Sequence, residues 1–157
     1  MKTAIKTDYH ASILVPGNVT RAWEAIGKVT SWWTKNVTGS SKNQNDIFEV
    51  HFGETFSRFR ISESIPGKTI RWYVMDCNLH WMKDKKEWKD TEILWEISSV
   101  GNSTQIEMTH IGLVPGKECF EDCNTGWNHY IKVSLYKLLT ENKGEPDHKD
   151  HSATYRQ

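Results

Sequence analysis

Cysteine is scarce in this chain. Only Cys77, Cys119 and Cys123 occur in 157 residues, an odd and sparse set that argues against a secreted fold stapled by disulfides. Net charge is missing too. Twenty Lys and Arg balance twenty Asp and Glu, which removes the general electrostatic case for nucleic acid or an anionic membrane as partner. No run of about 18 apolar residues is present, so no membrane-spanning helix is expected. The opening MKTAIKTDYHASILV is too polar for the apolar core of a secretory leader, and the expected location is the cytoplasm. Internal repeats and low-complexity blocks are lacking. The length fits one domain able to bury a core without staples.

Tryptophan is what the chain has in excess, with eight. Burying one large aromatic is worth on the order of 4–6 kcal/mol gross. Aliphatic residues fill a core with fewer geometric demands, so the count favours a walled cavity or an adhesive surface. TSWWTKNVTG, residues 30–39, sets Trp32 beside Trp33. Adjacent side chains rarely point the same way, so one ring is expected inside and the other at a rim.

Residues 3–15 alternate, with Ile5, Tyr9, Ala11, Ile13 and Val15 on one face, as in a half-buried strand. Pro16-Gly17-Asn18 breaks it. Val19, Ala22, Trp23 and Ile26 follow at helical spacing, with Asn18 as N-cap and Gly27 as terminator. A second short helix carries Trp32-Trp33, and residues 38–45 read as a polar loop. Period two returns from residue 46. Phe48, Val50 and Phe52 share a face, then Ile70, Trp72 and Val74, then Ile93, Trp95 and Ile97, then Ile106, Met108 and His110. Pro66-Gly67 marks a type II turn. Beyond Pro115-Gly116 the period becomes 3.6. Phe120, Cys123, Trp127, Tyr130, Ile131, Ser134 and Leu138 give an amphipathic helix of about 22–25 residues.

The reading is an α+β fold: a curved antiparallel sheet of about six strands gripping one long C-terminal helix, with two short helices after strand 1. Residues 1–142 form the single domain. Residues 143–157 are expected to be a polar, disordered tail. In order, VTRAWEAI, SWWT, SIPGKTIRWYV, EWKDTEILWEI, TQIEMTHIGLVPG and GWNHYIKVSLYKLL resemble the START-like helix-grip (SRPBCC) superfamily. Within it they resemble the branch of the C-terminal domain of the activator of heat-shock protein 90 ATPase. The resemblance implies the same element order and a cavity between sheet and long helix that often takes hydrophobic small molecules. Relatives include lipid carriers, hormone receptors, polyketide cyclases and co-chaperone domains, so the fold does not fix the activity.

The expected ligand-binding lining is Tyr9, Trp32, Trp33, Phe48, Val50, Trp72, Trp95, Met108, His110, Trp127, Tyr130, Ser134 and Leu138. His110, Tyr130 and Ser134 would orient a guest within an apolar wall; simple core filling is the alternative. His110 is the ionisable group placed on the pocket side, either a proton-transfer group or a satisfied structural residue. Only Asp76 offers itself as a partner acid, and no nucleophile-base-acid set stands out, so no catalytic residue is assigned and a binding role is favoured over an enzyme. Cys119 and Cys123 read as small buried hydrophobes; neighbouring helical turns hold them poorly for a disulfide. His148 and His151 read as solvated tail. No metal and no cofactor are implied. The excursion NLHWMKDKKEWKD, with Trp81 and Trp88, is expected to fold back as a lid, with a protein contact site as the alternative.

Three functions compete. The first is binding of a hydrophobic or amphipathic small molecule between sheet and helix. The second is a chaperone-regulating interaction module, with a chaperone or a homodimer contact. The third is a cyclase-like enzyme using the pocket.

Overall fold

A computed structural model describes residues 8–147. Seven strands form one antiparallel sheet: β1 (Tyr9–Pro16), β2 (Val37–Gly39), β3 (Ile47–Phe52), β4 (Thr55–Ile65), β5 (Thr69–Asn78), β6 (Glu92–Val100) and β7 (Ser103–Ile111). Their order across the sheet is β1-β7-β6-β5-β4-β3-β2. Helices α1 (Val19–Gly27) and α2 (Val29–Trp32) follow β1. The chain ends in α3 (Phe120–His129), a π-helical turn (Tyr130–Leu135) and α4 (Tyr136–Glu141), which run on without interruption.

Alternation places the strands. Tyr9, Ala11, Ile13 and Val15 are buried, and His10, Ser12 and Leu14 between them are exposed. The inward sets of β3, β5, β6 and β7 follow the same rule. Asn18 caps α1 by accepting a hydrogen bond from the Arg21 N–H at 2.9 Å. Gly67, at φ +74°, closes the β4–β5 turn in a conformation L side chains avoid.

The strand count is seven rather than about six. The extra one, β2, lies partly in the stretch expected to be loop. Three residues carry too little pattern to announce a strand; its pairing of Val37 with Val50 and Gly39 with Phe48 creates it. That edge needs glycine, because a Cβ on Gly39 would sit 2.3 Å from the Ile47 carbonyl oxygen.

The C-terminal helix differs from its expected register. Trp127, Ile131, Leu135 and Leu139 are buried, whereas Tyr130 and Leu138 are half-buried. Within the π turn the Tyr136 N–H bonds the Ile131 carbonyl, five residues back. The wider turn holds a spacing of four on one face, so the buried position moves from 138 to 139.

Residues 143–147, expected in the tail, are docked. The Asp147 N–H donates to the Trp33 carbonyl, and the Lys35 N–H donates to that of Asp147, both at 2.8 Å. His148, His151 and the rest of the expected tail lie outside the described residues, as does Ile5.

Candidate functional site

The interval between sheet and helix is occupied by rings. Trp33 lies 4.8 Å from Trp127, 5.7 Å from Phe59 and 6.1 Å from Trp72 between ring centres. Trp72 in turn meets Trp95 edge-to-face at 5.4 Å, and Trp32 meets Trp95 the same way at 5.7 Å. Such separations are favourable for aromatic pairs. Trp32 and Trp33 are 0% and 4% exposed, so neither stands at a rim. Their one-turn helix is wedged between sheet and C-terminal helix, and the two indoles stack at 5.7 Å. Phe48, Val50 and Met108 complete this core.

His110, Ser134 and Tyr9 of the expected lining are committed to the fold. Trp127 Nε1 donates to His110 Nδ1 at 3.1 Å. That leaves the His110 proton on Nε2, which faces Thr91 Oγ1 at 2.9 Å. Thr91 passes the chain on to the Trp88 carbonyl at 2.6 Å. His110 is wholly buried, and burial pushes its pKa down to about 3. It is therefore a neutral imidazole with both nitrogens paired. Asp76 is not near it in this network; it pairs with Lys86 on the surface at 2.9 Å, and the Lys86 ammonium holds its carboxyl below the usual range. Ser134 donates to the Trp32 carbonyl at 2.6 Å and accepts from the Glu145 N–H at 2.7 Å. Tyr9 donates to Asn128 Oδ1 at 2.7 Å, and burial raises its phenol pKa.

The excursion between β5 and β6 folds back onto the start of α3. Trp88 stacks on Trp127 at 5.8 Å and meets His110 edge-on at 4.6 Å. Trp81 Nε1 donates to Asp122 at 3.1 Å. Glu87 accepts from the backbone N–H groups of Glu118 and Cys119, and Glu118 accepts from those of Lys83 and Asp84. These two bonds hold the Glu118 carboxyl below its ordinary pKa. Cys119 and Cys123 form a disulfide, contrary to expectation. Cys119 is the N-cap rather than an interior helical residue, and its Cα lies 5.6 Å from that of Cys123, within bridging reach.

Among the described residues, two hollows open to solvent. One, of about 840 Å³, lies beside Tyr130 and Leu138 and is closed by residues 142–147. The other, of about 850 Å³, lies between the α1–α2 corner and the loop after β2, floored by β4 and β5. Sequence reasoning missed this second hollow, because its walls come from separate stretches of the chain. The isolated Trp23 was its one signal. No cluster of three or more metal-ligating side chains occurs among the described residues. No described helix is long and apolar enough to cross a membrane.

No family model and no curated protein matches the sequence. Solved structures do. The Aha1 dimer from Colwellia psychrerythraea superposes with a TM-score of 0.71 at 23% identity, over 87% of this chain and 98% of that one. DynU16, from the dynemicin biosynthetic locus, gives 0.66 at 16% identity, over 92% of this chain and 52% of that one. CalU16 from Micromonospora echinospora gives 0.62 at 14% identity, over 83% and 72%. These likenesses establish the helix-grip, START-like fold.

Proposed function

We propose that this chain is a protein-interaction module that regulates a chaperone through its surface, in the manner implied by its likeness to Aha1. The carrying observation is the cluster of rings between sheet and helix. A guest there would have to displace an indole such as Trp33 or Trp72, each buried against several other rings. Losing one such ring costs on the order of 3–5 kcal/mol. A partner that docks outside meets no such barrier. The span of the likeness, 98% of the Aha1 chain, supports the same reading, and because that structure is a dimer, self-association belongs to the proposal. His110 has no catalytic part in it.

The test mixes the purified chain with heat-shock protein 90 and measures complex formation by sedimentation velocity and the ATPase rate. A complex with an altered rate is the expected result. No complex and an unchanged rate would reject the reading. A copurifying hydrophobic molecule seen by native mass spectrometry, lost on substituting Trp33 or Trp127, would return the interior-guest reading to first place.

A further inference from the structure

The two edges of the sheet are protected differently. At one end β2 is three residues long, too short to template a further strand. At the other, β1 runs for eight residues and pairs with β7 in an unbroken register from Tyr9↔His110 to Pro16↔Ser103. No other strand among the described residues pairs with it. Such an edge is usually guarded by a bulge, a charged side chain or a proline within the strand. Here the outward side chains before Pro16 are His10, Ser12 and Leu14, and proline stands only at the last position. The neighbours fix the backbone directions. The Tyr9 N–H donates to the Leu113 carbonyl at 2.8 Å, and the Gly17 carbonyl accepts from Thr104 Oγ1 at 2.8 Å, both on the β7 side. Alternation therefore turns the N–H and C=O groups of His10, Ser12 and Leu14 to the unpaired edge, and Pro16, which has no N–H, falls on the same side. Exposed apolar side chains bracket this edge. On the outer face Leu14 is 53% exposed. On the inner face runs the flank of the C-terminal helix that carries Asn128, Lys132 and Tyr136 at a spacing of four. Asn128 accepts from the Tyr9 hydroxyl at 2.7 Å, which sets that flank toward β1, and Tyr136 on it is 40% exposed.

We propose that two copies of this chain associate through β1, edge to edge, in an antiparallel ladder that continues the sheet of one copy into that of the next. The two-fold axis falls at Ser12, the middle of the three edge-directed residues, which keeps Pro16 at the margin of the ladder. Ser12 then stands opposite the partner's Ser12, and His10 opposite the partner's Leu14. In this register every edge-directed N–H of the three residues meets a carbonyl. The Leu14 side chains are covered on one face, and the two helical flanks bearing Tyr136 come side by side on the other. This inference rests on the self-association part of the reading above and not on its chaperone part.

Sedimentation velocity over a range of concentrations reads the assembly. The chain is expected to dimerise, and Leu14→Lys, at an exposed position outside the core, should weaken the dimer about tenfold or more. Ser12→Cys should give a disulfide-linked dimer under mild oxidation, because residues opposed across a hydrogen-bonded pair lie about 5.5 Å apart between Cα atoms. Ser98→Cys, exposed on the same outer face two strands away, should not. The amide protons of Ser12 and Leu14 should exchange about tenfold more slowly at high protein concentration than at low, which a contact made elsewhere on the surface would not cause. A monomer at every concentration, an assembly indifferent to Leu14→Lys, or cross-linking as ready in Ser98→Cys as in Ser12→Cys would each overturn the proposal. A monomeric chain that still binds heat-shock protein 90 would sink it and leave the chaperone reading standing; a β1-paired dimer without that complex would do the reverse.

Discussion

The interior ring cluster and the hollow beside α1 use the same building block to opposite ends. In the cluster, the indoles of residues 32, 33, 72, 95 and 127 meet one another within about 6 Å, and Trp32 and Trp127 have their N–H groups paired. Beside the hollow, Trp23 is only half-buried and stands apart from the other rings of the described residues; its N–H is unpaired, as are those of Trp88 and Trp95 in the packed interior. Trp72 borders the hollow as well, but at 1% exposed it is spent on the clustered rings. An abundance of tryptophan therefore does not mark a cavity. What matters is whether the rings find each other, and most of them do.

Substitutions sharpen this contrast. Trp33→Ala should destabilise the fold most, by about 3–5 kcal/mol in urea unfolding, because it removes the ring that touches both sheet and helix. A loss under about 1 kcal/mol would show the ring cluster to be loose and would favour an interior guest. His110 should give the next largest effect, visible in pH. Its folded pKa is about 3 against an ordinary 6.5, so the unfolded chain takes up the proton first. Its stabilising contribution is complete above pH 6.5 and is lost as pH falls toward 3, at up to about 1.4 kcal/mol per pH unit. In His110→Gln that part of the slope should vanish from the pH series of urea midpoints. Ser134→Ala should cost about 1–2 kcal/mol, since it strips the Trp32 carbonyl and the Glu145 N–H of a shared partner. Asn18→Ala, which removes the α1 cap, should cost about 1 kcal/mol. Trp23→Phe should be mildest, within about 1 kcal/mol, because its N–H bonds nothing. A loss there as large as at Trp33 would erase the distinction between the two regions.

Much of the fold is legible along the chain. Period-two alternation fixes which side of β1, β3, β5, β6 and β7 is buried, and Asn18 and Gly67 mark boundaries by their own chemistry. The candidate lining is legible only as a set of inward positions. Apart from Tyr130, Leu138 and the Trp32-Trp33 pair, of which one was expected at a rim, its members point inward as read, but the spacing of side chains cannot say whether facing rings touch or stand apart. Tyr130 and Leu138 turn half outward because of a π turn, an adjustment to packing that leaves no mark in a 3.6-residue pattern. The burial of both Trp32 and Trp33 escapes detection for a similar reason. A single helical turn gives each ring its own direction, and both directions are interior only because the sheet lies on one side and the C-terminal helix on the other.

By itself the sequence determined the elements, their order and their buried faces, since alternation, caps and turn glycines act over a few neighbouring residues. The tertiary structure alone decided that the indoles close on each other between β5, α2 and α3, that His110 is spent on Trp127 and Thr91, and that a hollow opens beside Trp23. Those outcomes depend on distances between segments far apart in the chain, which are set by how the sheet curves around its helix.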